Sequence, residues 1–420
     1  MHEPEQVDAS ADFRGACNTG TPERAAMRIA YIFMRFPMAV QPFAISDVLA
    51  LEANGHHVDA YALSGWDKHH AELVEAYGLR LPRRSHWSWR TAVALARPDN
   101  WPILGRLLSI LWRHRGGEVV PMLKALALAP RLIEVVAELK RNPVDVVHAF
   151  WGHYPSLALT LAQTFAPQCH RSIFLGAYDL TSHLIPYSRP ALEACQTVTT
   201  HSEENRDTLL AFGVRPEQIA VIRRGIPLDL ADGPRPERES LRICTAANLQ
   251  KEKNMDIVLR VFRQVRETHG EARLMIAGDG EERAALEKLA GELGIAEHVD
   301  FPGHLSREGL FQEMARSRVF LFLSTKVSER LPNVVKEAML AGCHCIVSET
   351  PGIRELIEPG ATGEIVPHLD PAAVAGTVNA ALATQDDRIG AAASRFVRET
   401  MSSEAAMRRH TEVWRRELHG

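Results

Sequence analysis

The chain has 420 residues, 46% of them hydrophobic and 24% charged, a composition typical of two or three water-soluble globular domains. Its formal net charge of −4 argues against general binding to nucleic acid. No apolar run reaches the roughly 18 residues of a membrane span, and the N-terminus lacks the apolar core of a signal peptide. The six cysteines are scattered without metal-ligand spacing, so we expect reduced thiols, no metal site and a cytoplasmic protein.

The first part of the chain alternates between strand and helix patterns. Residues 1–26 are polar and aperiodic, and we expect them to be a disordered leader. Residues 28–33 and 57–63 are predicted strands, and residues 43–54 between them are a predicted amphipathic helix. No Gly-x-Gly-x-x-Gly loop follows the first strand, which argues against the rival hypothesis of a nucleotide-dependent oxidoreductase.

Residues 79–117 are an unusual insertion that is rich in arginine and tryptophan. Cationic side chains beside indoles suit a membrane interface, so the segment favours peripheral contact with the inner face of the cytoplasmic membrane. The alternative is a pair of helices that pack on the N-terminal domain with their arginines in water. The residues concerned are Arg80, Arg83, Arg84, Arg90, Arg97, Arg106, Arg113, Arg115, Trp87, Trp89, Trp101 and Trp112, with an apolar stripe at helical spacing of Leu104, Leu107, Leu108, Leu111 and Trp112.

Two later strands of this half end in loops with polar residues. Strand 144–148 leads to His153, and strand 171–175 leads to Gly176 and Asp179. In open α/β sheets, ligands bind at the carboxyl ends of the strands. Both loops thus lie at an edge where a ligand could bind, although a lone histidine such as His153 is more often structural.

The second half repeats the pattern after a hinge at 231–239 that is rich in Gly and Pro. Predicted strands at 241–246, 273–277 and 299–301 each end in a loop. The first loop holds Asn248 and Lys253, the second Gly278, and the third Gly303, His304 and Leu305.

Residues 318–366 carry the most information. A buried strand at 319–323, a loop, a helix that starts at Pro332 and a strand at 345–348 form one unit of a doubly wound sheet. Glu329 in the loop and Glu337 in the helix bracket first-turn amides, and such amides favour phosphate. A carboxylate pair beside an anion site suits a nucleotide sugar. The alternative is that Glu329 and Glu337 are merely solvated surface charges.

This stretch resembles glycosyltransferase family 4. The matching residues are Ser328-Glu329, Leu331-Pro332-Asn333-Val334-Val335, Glu337-Ala338-Met339, Ala341-Gly342, Pro351-Gly352, Glu355-Leu356-Ile357, Gly360 and Gly363. The resemblance extends over residues 28 to about 418 and is looser in the first half. It implies a retaining glycosyltransferase of the GT-B fold, with two Rossmann-like doubly wound domains facing a cleft and a C-terminal helix that crosses back.

The resemblance also implies roles for individual residues. Glu329 would contact the donor sugar hydroxyls and Glu337 the ribose, while Lys253 would contact the donor phosphate. Amides in the segment of Leu331, Pro332, Asn333 and Val334 would bind the diphosphate, and the loop of Gly303, His304 and Leu305 would lie over the nucleobase.

The chain departs from the family pattern at several positions. Arg330 replaces a small residue and either contacts the diphosphate or points to solvent, and Asn248 replaces an arginine. Gly176 and Phe150 replace histidines, whereas Asp179 matches the aspartate of the family pattern. The resemblance therefore implies that Asp179 is a site residue and makes His153 a candidate substitute for a lost histidine. In such retaining transfer the leaving phosphate can accept the proton of the acceptor, so these losses need not abolish activity.

We therefore predict an acceptor-binding domain at 27–232, a donor-binding domain at 233–402 and a crossover helix at 403–420. The predicted reaction moves a sugar from a UDP- or GDP-sugar to a glycan or polyprenyl-linked acceptor of cell-surface polysaccharide biosynthesis. No metal or other cofactor is expected, because no Asp-x-Asp site is present. A non-catalytic subunit that scaffolds a partner enzyme remains the alternative.

Overall fold

The fold consists of two parallel six-stranded sheets, seen in a computed structural model that describes residues 26–38, 42–65, 70–79, 89–114, 119–182, 186–384 and 386–419. The predicted leader therefore lies outside the described residues except for its last position, and so do residues 80–88 and 115–117 of the predicted insertion. This architecture confirms the doubly wound α/β fold.

The first sheet has the strand order β2-β1-β3-β4-β5-β6. Its strands are β1 (Arg28–Phe33), β2 (His57–Ala62), β3 (Val146–Phe150), β4 (His170–Phe174), β5 (Thr197–Thr200) and β6 (Ile219–Val221). Its helices are α1 (Pro42–Ala53), α2 (His70–Ala76), α3 (Trp89–Ala96), α4 (Trp101–Arg113), α5 (Val119–Arg141), α6 (Ser156–Phe165), α7 (Ala177–Ser182), α8 (Ser188–Ala194) and α9 (Arg206–Ala211).

The second sheet has the order β12-β11-β10-β7-β8-β9. Its strands are β7 (Glu239–Ala246), β8 (Arg273–Ala277), β9 (Val299–Gly303), β10 (Ser317–Phe322), β11 (His344–Ser348) and β12 (Glu364–Val366). Its helices are α10 (Met255–Thr268), α11 (Arg283–Glu292), α12 (Arg307–Arg316), α13 (Asn333–Ala341), α14 (Pro371–Ala383) and α15 (Arg388–Thr400), followed by α16 (Ser403–His419).

Each sheet is buried on both faces, because side chains alternate along a strand. In β1, Ile29 and Tyr31 belong to one hydrophobic cluster, and Ala30 and Ile32 belong to the cluster on the opposite face. The second sheet also divides its core in two, with Phe320 on one side and Leu321 on the other. These two-sided cores explain why the strands are near-continuous apolar runs.

The C-terminal helix crosses from the second sheet back to the first. α16 packs against α1, and its Trp414 is buried in the core cluster of the first sheet. The Trp414 indole Nε1 donates a hydrogen bond to Ser172 Oγ of β4 at 3.0 Å. The predicted crossover is therefore confirmed.

Long apolar helices and disulfides do not feature in the described ranges. Within them, no helix combines the length and apolar character needed to cross a bilayer. The cysteines that the structure describes, Cys169, Cys195, Cys244, Cys343 and Cys345, are buried free thiols.

Candidate active site

A cavity of about 390 Å³ opens where β7, β8 and β10 of the second sheet end. The carboxyl edge of an open α/β sheet is where ligands bind, because successive strand ends deliver their loops to one crevice. Many of the residues singled out from the sequence line this cavity: Asn248, Lys253, Gly278, His304, Leu305, Glu329, Pro332, Asn333, Val334 and Glu337. Tertiary folding thus brings together loops that are up to about ninety positions apart.

Lys253 and Glu329 are direct partners. Lys253 is buried in a short 3-10 turn after β7, and its ammonium group forms an ion pair with the Glu329 carboxylate. The other carboxylate oxygen of Glu329 accepts a hydrogen bond from Ser324 Oγ at 2.6 Å. The Lys253 Nζ also lies 5.3 Å from the centre of the Phe322 ring. Both predicted ligand groups are therefore held in fixed positions at the cavity wall.

Glu337 presents a second carboxylate to the same cavity from α13. Burial raises the pKa of this carboxyl, and the nearby cations Arg307 and Lys336 oppose the shift. In the part of the chain that the structure describes, no hydrogen bond to the Glu337 side chain is present. This carboxylate is thus a partly desolvated acceptor, which suits recognition of ligand hydroxyls.

The start of α13 supplies backbone donors. Pro332 precedes the helix, and its carbonyl accepts hydrogen bonds from the amides of Val335 and Lys336 at 3.2 and 3.3 Å. The preceding two residues, Asn333 and Val334, lie at the positive end of the helix and line the cavity. First-turn amides at such an end favour an anion.

Gly278 is needed for the shape of the cavity. Its φ is +117°, and a Cβ at this position would lie 1.9 Å from the carbonyl oxygen of Ala247. The Gly278 amide donates to the carbonyl of Gly303 at 2.8 Å, which joins the two loops. Gly303 thus holds the Gly278 loop by a hydrogen bond without lining the cavity itself, whereas His304 and Leu305 line it.

Arg330 differs from its predicted place at the donor diphosphate or in solvent. Its guanidinium is buried, and Nε donates to Asn205 Oδ1 in the first half of the chain at 3.2 Å. It also bonds to the carbonyl of Val327 within its own loop. The arginine therefore links the Glu329 loop to the opposite domain. The Leu331 side chain is buried in the core, and the role of the Leu331 amide stays a prediction.

Asp179 fixes two loops at the carboxyl edge of the first sheet. Its two carboxylate oxygens accept hydrogen bonds from the amides of Gly152 and Gly176 at 3.0 and 2.9 Å. His153 Nε2 lies 3.7 Å from Asp179 Oδ1. The structure thus places both predicted residues of this half side by side, with Asp179 buried and His153 partly exposed.

A pH-dependent stability difference should distinguish Asp179 from its amide variant. Burial raises the pKa of Asp179 to about 7, against the effect of the two amide donors. The folded state therefore binds the proton more tightly than the unfolded state, and the resulting stabilisation is lost as pH rises through 7. Between pH 6 and pH 8, wild type should lose about 1 kcal/mol relative to Asp179→Asn. Thermal unfolding across this range measures the difference.

Asp207→Asn is the matched control for this titration, because Asp207 is exposed on α9. Its stability should follow that of wild type at every pH. A constant offset between wild type and Asp179→Asn from pH 6 to pH 8 would contradict the raised pKa.

The absent family histidine at position 176 has a steric explanation. A Cβ on Gly176 would lie 2.6 Å from a ring carbon of Trp151, whose backbone has a φ of 75°. Gly176→Ala should therefore force the indole to move and cost about 1–3 kcal/mol of stability. Chemical unfolding measures this cost. The control is Gly291→Ala in α11, where a Cβ meets no atom within 4 Å and alanine should be neutral or stabilising. Equal effects of the two substitutions would contradict the steric account.

The sequence did not predict a network of buried cations that connects α13 with the first domain. The Arg224 guanidinium lies 4.3–5.0 Å from the ring centres of Phe43, Phe150 and Phe174 and pairs with the buried Asp47 at 3.0 Å. The buried Lys336 of α13 donates to the carbonyl of Arg224 at 2.8 Å. Burial, with Arg224 nearby, lowers the pKa of Lys336 to about 7. The motif specifies no residue type at position 336, so sequence reasoning gave no reason to single out Lys336.

Glu355 belongs to the sequence motif, but the motif alone assigns it no role. Its carboxylate accepts hydrogen bonds from Ser202 Oγ at 2.6 Å and from the Glu203 amide at 2.9 Å, and it pairs with Arg223 at 3.1 Å. All three partners precede the first strand of the second sheet in the sequence. Glu355 thus joins Arg330 and Lys336 in fixing how the two sheets face each other.

Family models match both parts of the chain. The model described as "Glycosyltransferase Family 4" matches residues 48–230, and the model described as "Glycosyl transferases group 1" matches residues 232–396. The chain is 23% identical over 372 residues to a putative colanic acid biosynthesis glycosyltransferase, WcaL, of Salmonella typhimurium, covering 83% of this chain and 89% of that protein. It is 25% identical over 378 residues to the amylovoran biosynthesis glycosyltransferase AmsK of Erwinia amylovora, with the same coverage of 83% and 89%.

Solved structures share the whole fold. A glycosyltransferase from Rickettsia africae superposes with a TM-score of 0.67 at 15% identity, covering 94% of this chain and 99% of that chain. Anabaena Alr3699/HepE in complex with UDP superposes with a TM-score of 0.66 at 17% identity, covering 92% and 98%. Both matches cover more than nine-tenths of this chain, so the likeness of fold extends over both sheets.

Proposed function

The chain belongs to glycosyltransferase family 4, and from this premise we propose that it is a retaining enzyme that uses a nucleotide-diphosphate sugar. The donor is a UDP- or GDP-sugar, and the acceptor is a glycan or a polyprenyl-linked saccharide. The observation that carries the proposal is the single cavity lined by Lys253, Glu329, Glu337 and the start of α13.

The cavity chemistry supports a donor with both hydroxyls and phosphates. Its volume of about 390 Å³ falls within the range of small-molecule sites. Glu337 is placed to accept hydrogen bonds from ribose hydroxyls, and Glu329 from hydroxyls of the transferred sugar. Lys253 and the amides of Asn333 and Val334 supply positive charge to the diphosphate between them. The loop of His304 and Leu305 forms the wall for the nucleobase.

In the proposed reaction, the bond between the anomeric carbon and the diphosphate oxygen breaks as the acceptor hydroxyl bonds to the same face of the sugar. The acceptor proton passes to the departing phosphate oxygen, so retention needs no separate base. The enzyme contributes positioning and stabilisation of the leaving group. His153 and Asp179 lie on the acceptor side, where Asp179 orients the loop that presents the histidine.

The proposed acceptor class rests on the polysaccharides for which the relatives are named. They are named for the biosynthesis of colanic acid and amylovoran, and one shorter match is named lipopolysaccharide 1,6-galactosyltransferase. A saccharide carried on a polyprenyl lipid is the acceptor class that we infer for this chain. The product would then be an extended intermediate of a cell-surface polysaccharide.

A thermal-shift screen across UDP- and GDP-sugars tests the donor assignment. The true donor should raise the melting temperature of wild type, because a ligand that binds the folded state stabilises it. Glu337→Ala should lose most of this shift, whereas Glu308→Ala on α12 should keep it. NMR of the product then reads the anomeric configuration. No shift with any of these donors at millimolar concentration would overturn the proposal.

Activity should persist when divalent cations are removed. Among the described residues, no group of three His, Cys, Asp or Glu side chains is placed to hold a metal ion. We propose that Lys253 and the α13 amides supply the positive charge that a metal supplies in other transferases. Transfer assays with and without a chelator should give equal rates, and a loss that Mg²⁺ restores would contradict this point.

The second candidate is a non-catalytic subunit that scaffolds a partner enzyme. It is favoured by the replacement of family residues at Asn248, Phe150 and Gly176, together with the indole that fills the space beside Gly176. Hydrolysis of the donor by purified wild type, lost in Glu329→Ala, would exclude it. Donor binding without hydrolysis or transfer would favour it.

A further inference from the structure

Two consecutive helices of the first domain expose large apolar side chains. On α4, the exposed fractions are 61% for Trp101, 45% for Leu108 and 68% for Trp112, and their spacing places them in one stripe. The opposite face of α4 is buried in the core through Ile103, Leu107, Ile110 and Leu111. The start of α5 continues the exposed surface with Val119, Val120 and Leu123, which are 58%, 61% and 56% exposed. We name these six exposed residues the apolar face.

The surroundings of the apolar face are cationic. Arg97, Arg113 and Lys124 are exposed on the same helices or next to them, and Arg106 is half-buried. Within the described residues 89–114 and 119–133, Asp99 is the single acidic residue. A surface with apolar side chains, indoles and excess positive charge is complementary to anionic lipid headgroups over acyl chains. Two copies of this surface would instead bring like charges together.

The direction of α5 indicates on which side of the first sheet the apolar face lies. α5 leads directly into β3 and therefore runs antiparallel to it. The Arg131 Nε donates a hydrogen bond of 3.0 Å to the carbonyl of Ala62, which is the last residue of β2. Arg131 of α5 therefore lies level with the carboxyl end of that strand. The twelve helical residues from Val119 to Pro130 span about 18 Å and precede Arg131 on the side of the carboxyl edge, the edge at which the loops of His153 and Asp179 lie.

We propose that α4 and the first turns of α5 dock on an anionic lipid bilayer and hold the acceptor side of the cleft beside the membrane. The inference deepens the proposed function, because it places the enzyme where a lipid-linked acceptor is found. The docking itself involves neither the donor cavity nor catalysis, so the two proposals fail separately.

Flotation with lipid vesicles tests the docking surface on the full chain. Wild type should float with vesicles of phosphatidylcholine and phosphatidylglycerol, and should float less with pure phosphatidylcholine or at high salt. The variant Leu108→Ser/Trp112→Ser/Leu123→Ser should remain at background level. The variant Arg106→Gln/Arg113→Gln should bind roughly 5-fold more weakly for each cation removed.

The matched control is Leu210→Ser/Phe212→Ser, which changes two exposed apolar residues, 39% and 37% exposed, that lie outside the apolar face. It should float like wild type. All variants should keep the circular-dichroism spectrum and the cooperative thermal unfolding of wild type, which shows that they are folded whether or not a donor binds. Failure of wild type to bind anionic vesicles, or equal binding by the triple serine variant, would overturn the inference. A wild-type dimer that the triple variant makes monomeric, without vesicle binding, would also overturn it.

Discussion

Replacing Glu329 with alanine should lower kcat/KM for sugar transfer by at least about 100-fold. The carboxylate is held by Lys253 and by Ser324, so its oxygens are fixed at the wall of the donor cavity. Each hydrogen bond from a sugar hydroxyl to a charged acceptor contributes about 1.5–3 kcal/mol, and the truncation also leaves the buried Lys253 without its counter-ion. Steady-state kinetics with the donor found by screening measures the loss.

A nucleoside diphosphate without the sugar separates the assigned role of Glu329 from general damage. Glu329→Ala should bind UDP or GDP with nearly wild-type affinity, because its contact is with the transferred sugar. Glu252→Ala, an exposed carboxylate on the neighbouring turn, should leave both affinity and turnover unchanged. Equal losses of sugar-donor and diphosphate binding in Glu329→Ala would contradict the assignment.

Lys253→Ala should reduce kcat by about 100- to 1,000-fold and should also weaken binding of the nucleoside diphosphate. The buried ammonium pairs directly with the Glu329 carboxylate, α13 supplies only neutral amides, and the other lysine of the described cavity lining, Lys326, forms no ion pair with Glu329. Asn248 stands where the family has an arginine, so a neutral side chain replaces one positive charge. Calorimetric titration of UDP or GDP gives the affinity, and transfer assays give the turnover.

Lys251 offers a close control, because it lies in the same 3-10 turn as Lys253 and is exposed. Lys251→Ala should be indistinguishable from wild type. Lys253→Arg should recover part of the activity, since it restores a positive charge with different geometry. A Lys253→Ala variant that binds the diphosphate normally and loses only sugar-dependent binding would show that the lysine acts solely by positioning Glu329.

Local patterns together with the family resemblance were sufficient to identify most of the residues that line the cavity of the second sheet. Short apolar runs identified the strands, and the polar residues directly after them form the crevice because all strands of a parallel sheet end at the same edge. The positions of Glu329 in a strand-end loop and of Glu337 in the next helix suggested that both carboxylates could face one cleft, and both residues line the cavity. The first half was harder to predict, because its loops carry fewer motif residues.

Arg330 illustrates where local reasoning fails. From its place in the motif, a contact with the diphosphate or with solvent was equally plausible. The guanidinium instead reaches Asn205, which is 125 positions away in the sequence, and so links the two domains. Nothing near Arg330 in the sequence indicates which part of the other domain it meets.

The sequence by itself determined the doubly wound fold and most of the cavity wall, because burial periodicity and strand-end loops are local properties of the chain. Only the tertiary structure decided the partners: Lys253 with Glu329 at a separation of 76 positions, and Arg224 with Asp47 at 177. Such pairs depend on sheet register and on the angle between the domains. These are set by the packing of whole elements, so no short segment contains the information.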